Sequence, residues 1–197
     1  MKKFIVILGI AHADNVAGKC SPDGLHHEPV WSKAQCKLIA ASLSAKGINY
    51  AIVQPDSDDL KGRVAFVREC EKIASEYEHC LLLSLHNNAA GNGQWMNAHG
   101  WCVYDSPGYT NSDVYAQQFF NDLLKALPEI PVRRYSLQKP DFEAAFTVLL
   151  GYNYNAVLIE WLFQDNKEDL ALIENESICE RMRNAIINRI ELISKSF

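Results

Sequence analysis

The sequence predicts an α/β fold, a single mixed, mostly parallel sheet with helices on both faces. Short apolar runs of strand length alternate along the chain with longer stretches of helical periodicity. The 197 residues are 48% hydrophobic, enough for one substantial core. Polar residues with ligand chemistry also close the apolar runs, where ligands of open α/β sheets gather.

The elements follow in order. Residues 3–10 form a first apolar strand that runs into His12. Glu28 precedes Pro29, a residue favoured at the first helical position, so a helix is expected over 29–46, stopped by Gly47. A strand over 50–54 and a helix over 61–77 come next. The run 80–85 is a buried strand that breaks at His86 into the polar stretch Asn87-Asn88-Ala89-Ala90-Gly91. Further on, the pattern predicts a strand over 100–104 and helices over 111–127 and 141–151. A strand over 156–160 ends on Glu160, and a last helix spans 167–195, opened by a capping box of Asn166 and Asp169. With no internal repeat, low-complexity tract or linker, residues 1–197 read as one domain.

Composition excludes several functions. The net charge of -5, without a long basic run, argues against nucleic acid and against anionic lipid. A small molecule or a neutral polymer is the expected partner; oligomeric state is not legible. The six cysteines lie far apart with no C-x-x-C pair, so a cysteine zinc cluster has no support and a reduced state is expected. Met1-Lys2-Lys3, the apolar run and Ala11-His12-Ala13 imitate a signal peptide. The run is strand-length, however, and cleavage after Ala13 would remove the first strand with His12. No run approaches the length of a membrane span.

Four residues carry candidate chemistry. His12 and His86 both end buried strands, where a hydrogen-bonded structural role is the commoner fate of histidine. Glu28 stands at the positive end of a helix dipole and reads equally well as an N-cap. His26 and His27 are rival ligands or exposed loop residues. Glu160 ends an apolar stretch, and a carboxylate buried there needs a reason: a raised pKa suited to a general base, or a pair with Arg133 or Arg134. Two imidazoles and a carboxylate would leave one position of a zinc ion open for water, with the second carboxylate as base.

The same residues resemble the zinc-dependent N-acetylmuramoyl-L-alanine amidases of the amidase-3 type over most of the chain. Ile5-Val6-Ile7-Leu8-Gly9-Ile10-Ala11-His12 resembles the family's opening strand with its zinc-binding histidine, and Glu28 follows at a spacing close to that of the glutamate ligand. Leu60-Lys61-Gly62-Arg63 is similar to an L-x-x-R segment. Ser84-Leu85-His86-Asn87-Asn88-Ala89-Ala90 matches S-x-H-x-N-x-A, and His99-Gly100-Trp101-Cys102-Val103-Tyr104 resembles the strand that follows. Val157-Leu158-Ile159-Glu160 and the residues to Asp169 are similar to the closing motif with the catalytic glutamate. The first motif departs from D-P-G-H-G-G, lacking the glycines that allow a tight turn beside the metal. Trp161 stands where a smaller residue is common, which would narrow the cleft or stack on substrate.

The resemblance implies Zn2+ held by His12, Glu28 and His86, with Glu160 moving protons. The bond cut would join N-acetylmuramic acid to L-alanine in peptidoglycan or a muropeptide. His99, Asn87 and Asn88 would line the cleft, or the asparagines would cap loops. The missing glycines leave a catalytically silent wall-binding module as the alternative. Work at the bacterial cell wall is implied without a clear signal peptide, by phage-type release through membrane lesions or by secretion with the leader absent from this sequence.

Overall fold

A computed structural model describes residues 2–14 and 16–197. Its strands are β1 (Lys2–Ile10), β2 (Tyr50–Val53), β3 (Tyr77–Asn88), β4 (Cys102–Asp105), β5 (Phe142–Glu143) and β6 (Asn155–Phe163). They form one sheet in the order β2-β1-β3-β6-β4-β5. The strands β2, β1, β3 and β6 run parallel, whereas β4 is antiparallel to β6 and parallel to β5. The sheet is therefore mixed and mostly parallel, as the alternation of elements predicts.

Five helices, α1 (Glu28–Ala45), α2 (Leu60–Ala74), α3 (Asn111–Ala126), α4 (Lys167–Ile173) and α5 (Glu176–Ser194), cover the two faces. Alternation along β1 explains the layering, because successive side chains leave opposite faces of a strand. Phe4, Val6, Leu8 and Ile10 join the larger core with residues of α1, α3 and α5. Ile5 and Ile7 join the smaller one with Phe66 and Cys70 of α2. Parallel strands buried on both faces put all their carboxyl ends on one side, and β1, β3 and β6 deliver His12, His86 and Glu160 there. Gly47 takes φ 69 just past α1, the left-handed stop expected of it.

Several expectations need correction. Residues 141–151 do not form a helix. Phe142 and Glu143 pair with Tyr104 and Asp105 as an edge strand, and only Thr147–Leu149 makes a 3-10 turn. Sheet pairing and the packing of Phe142 on Tyr104, with ring centroids 5.4 Å apart, override local helix propensity. The last helix is two helices, because Asn175 caps α5 by accepting from the backbone N–H of Ile178. Asn166 caps α4, but Asp169 does not return the bond; its carboxylate accepts instead from the N–H groups of Phe163 and Gly100. Trp161 is fully buried beside Trp101, so it packs the core and does not face a substrate. Both β3 and β6 run past the expected ends, so His86 and Glu160 lie within strands.

The cysteines are all free, and all but Cys20 are buried. Burial pushes the thiols of Cys36, Cys80 and Cys102 up to about 12, as suits inert core residues.

Candidate metal centre

The first histidine sits on a turn that its own backbone makes. His12 has φ 59, in the left-handed region, which supplies the reversal that flanking glycines would otherwise allow. Three side chains secure it. Ser32 accepts from the N–H of Ala11 at 2.9 Å, Gln54 donates to the His12 carbonyl at 3.1 Å, and Asp58 accepts from the N–H of Ala13 at 2.9 Å. The other oxygen of Asp58 bonds His12 Nδ1, which aims Nε2 into the cleft.

His86 is fixed in a parallel way. Ser84 lies two residues earlier on the same strand and therefore on the same face, and its hydroxyl meets His86 Nε2 at 3.1 Å. The remaining nitrogens, His12 Nε2 and His86 Nδ1, converge on Glu28 Oε1 at 3.2 and 3.0 Å. Glu28 is the first residue of α1, and the cap position belongs to His27, which makes no side-chain cap bond. Glu28 is thus turned inward and does not serve as an N-cap. The N–H of Asn87 donates to its Oε1 at 3.1 Å and Gln164 Nε2 to its Oε2 at 3.2 Å.

Burial works against the charge of Glu28, but the hydrogen bonds from His12 and His86 outweigh it and hold the carboxyl well below the usual range. Burial likewise disfavours charge on His86, yet the hydrogen bond and charge of Glu28 raise its pKa. One ligand-type atom from each of His12, Glu28 and His86 lies within 4.8 Å of the other two. Each outward ring nitrogen is already tied to a neighbour, the arrangement that fixes tautomer and orientation in metal-ligating histidines. Two nitrogens and one oxygen with an open side match the donor set of a catalytic zinc site.

Glu160 pairs in register with His86 across β3 and β6, which places the two side chains on the same face of adjacent strands. Burial pushes its carboxyl up to about 7; the imidazoles of His86 and His12 oppose the shift and Glu28 adds to it. Its Oε2 is buried without a hydrogen-bond partner. Neither Arg133 nor Arg134 pairs with it among the described residues, and the Arg133 guanidinium instead lies 5.1 Å from the centre of the Phe163 ring. The structure therefore brings His12, Glu28, His86 and Glu160 together around one cleft of about 580 Å3.

Of the other candidates, Asn87, Asn88 and Arg63 line this cleft and His99 does not. Asn87 is no loop cap: it accepts from His26 Nε2 at 2.9 Å and donates to the Trp161 carbonyl at 2.7 Å. His26 is buried by that bond and His27 is exposed, so neither competes for the centre. Asp58 and Lys19, which also border the cleft, had no signal in the sequence beyond their residue type.

Imidazoles gathered near the carboxyl ends of parallel strands, with a carboxylate between them and a protonatable carboxyl alongside, are the equipment of a hydrolase that activates water. The chain belongs to the N-acetylmuramoyl-L-alanine amidase family Amidase_3, whose model matches residues 6–192. It is thus an amidase-family enzyme of the bacterial cell wall, acting on peptidoglycan, in a family that depends on zinc. No curated protein sequence matches the chain significantly.

Solved structures share the fold. The N-acetylmuramoyl-L-alanine amidase AmiC2 of Nostoc punctiforme is 23% identical with a TM-score of 0.74, over 99% of this chain and 98% of that one. The CwlD amidase of Clostridioides difficile, solved in complex with the GerS lipoprotein, is 16% identical with a TM-score of 0.77 over 100% of both chains. The amidase Ami1 of Mycobacterium smegmatis is 18% identical with a TM-score of 0.75, over 100% of this chain and 99% of that one. No helix among the described residues is long and apolar enough to cross a membrane.

Proposed function

We propose that Zn2+ is held by His12 Nε2, Glu28 Oε1 and His86 Nδ1, and that Glu160 carries the proton in hydrolysis of the bond between N-acetylmuramic acid and L-alanine. The observation that carries this proposal is the convergence of those three atoms within 4.8 Å. When bound, the ion supplies Lewis acidity toward water and the scissile carbonyl. Glu160 accepts a proton from the attacking water and gives it to the departing nitrogen of L-alanine. The products are the lactyl carboxylate and a free amine. A carboxyl pushed up to about 7 suits both halves of that transfer near neutral pH.

Residues 1–197 act as one catalytic domain, since both apolar cores pack on a single sheet. Peptidoglycan strands or muropeptides occupy the cleft. The missing glycines, the ground for a silent binding module, carry no weight once His12 makes the turn itself.

The test compares wild type with Glu160→Gln for zinc content and for release of stem-peptide amino termini from peptidoglycan. We expect about one zinc per chain in both proteins, with activity lower by about 10²–10⁴-fold in the variant. Equal activity would remove Glu160 from the chemistry. A metal-free wild type whose activity ignores EDTA would remove the zinc.

A further inference from the structure

Three aspartates converge at the opposite side of the sheet. Asp105 ends β4, Asp113 lies in the first turn of α3 and Asp141 immediately precedes β5. Across the antiparallel pair Cys102 faces Glu160 and Tyr104 faces Leu158, so Asp105 points toward the amino end of β6, away from the catalytic strand ends. One carboxylate oxygen from each of Asp105, Asp113 and Asp141 lies within 4.8 Å of the other two. Asp105 and Asp141 are 0% exposed and Asp113 is 4% exposed.

Their bonding is lopsided. Asp113 is satisfied: Oδ2 accepts from the N–H of Thr110 at 2.7 Å and from its hydroxyl at 3.2 Å, and Oδ1 accepts from Lys139 Nζ at 3.0 Å. Lys139 also bonds Glu143 and stands 3.8 Å from Asp141 Oδ2. None of the four carboxylate oxygens of Asp105 and Asp141 has a hydrogen-bond partner. Gln117 approaches Asp141 closely enough to favour its charge slightly, but no bond of normal geometry reaches it. Buried carboxylates are paired or coordinate metals. A single ammonium facing Asp105, Asp113, Asp141 and Glu143 does not meet that need.

We propose that Asp105, Asp113 and Asp141 form a second metal site that takes a hard divalent cation of the Ca2+ or Mg2+ kind. All its donors are carboxylate oxygens, with no imidazole or thiolate among them, which favours such ions over zinc. Lys139, partly exposed at the mouth, keeps Glu143 as its partner when the ion takes Asp113 Oδ1. The ion ties β4, α3 and β5 together, the half of the sheet that lies beyond β6. A proton is the rival occupant: burial, with the charges of Asp113 and Asp141, pushes Asp105 up to about 7.

Thermal unfolding of the zinc-loaded chain at pH 8, with and without 5 mM CaCl2 or MgCl2, separates the two occupants. With the catalytic centre already filled, we expect Ca2+ or Mg2+ to raise the wild-type Tm by about 4 °C or more and to leave Asp105→Asn and Asp141→Asn unmoved. Without either cation, Asp105→Asn should unfold at or above the wild-type temperature, because it removes buried repulsion. A wild type indifferent to both ions overturns the proposal in favour of a shared proton, and so does an equal shift in the variants. Calorimetric titration of the zinc-loaded wild type decides the question even if a variant misfolds. One Ca2+ or Mg2+ per chain is expected, and absence of binding overturns it.

Discussion

Asp58 shows how a single loop carboxylate shapes the centre. It holds the ring of His12 through Nδ1 and the following backbone through the N–H of Ala13, so the proposed ligand and its turn share one anchor. Partners of this kind are worth about 10–100-fold in metal affinity. Asp58→Asn should therefore weaken zinc binding by about that factor in competition with a chelator, while its circular dichroism stays that of wild type. Unchanged affinity would reduce Asp58 to a loop bond. His12, Glu28, His86 and Glu160 were legible because each is a polar residue at the end of an apolar run or the start of a helix. Asp58 was not: it sits among Asp56, Ser57 and Asp59 in a polar loop, and only the folded chain shows which of them faces His12.

At the level of elements, the start of α2 is built against the same loop. A Cβ added to Gly62 would lie 2.1 Å from the Ser57 carbonyl oxygen and 2.7 Å from its carbonyl carbon, both backbone atoms. The capping bond from the N–H of Gly62 to Asp59 draws helix and loop together at 2.7 Å. Gly62→Ala should cost about 1–3 kcal/mol in urea unfolding, as overpacking does, and should also lower zinc affinity by shifting the neighbouring Asp58. Loss of stability with zinc affinity intact would separate the helix from the metal centre. Periodicity found the long elements well, since α1, α2 and α3 present apolar faces to a sheet. It failed over 141–151, where Phe142 and Glu143 answer to β4, and at Asn175, where a cap interrupts an otherwise continuous helical pattern.

For the molecule as a whole, the aspartate cluster predicts how stability varies with pH. The folded state raises Asp105 from 3.8 to about 7, so between those values the native chain binds more protons than the unfolded one. Stability contributed by the protonated carboxyl is complete below about pH 4 and is lost as pH rises through 7, with a slope of up to about 1.4 kcal/mol per pH unit. In buffer free of Ca2+ and Mg2+, the urea midpoint of zinc-loaded wild type should fall relative to that of Asp105→Asn as pH rises from 5 to 8. Parallel profiles would sink the assignment.

The strand order β2-β1-β3-β6-β4-β5 carries one more consequence, concerning synthesis. The last strand made, β6, is inserted between β3 and β4, and it brings Glu160 with it. Without β6 the strand order falls into two unjoined parts, β2-β1-β3 and β4-β5, and Glu160, the proposed proton carrier, is missing. Closure of the sheet and the arrival of Glu160 in the cleft thus fall together, late in the making of the chain.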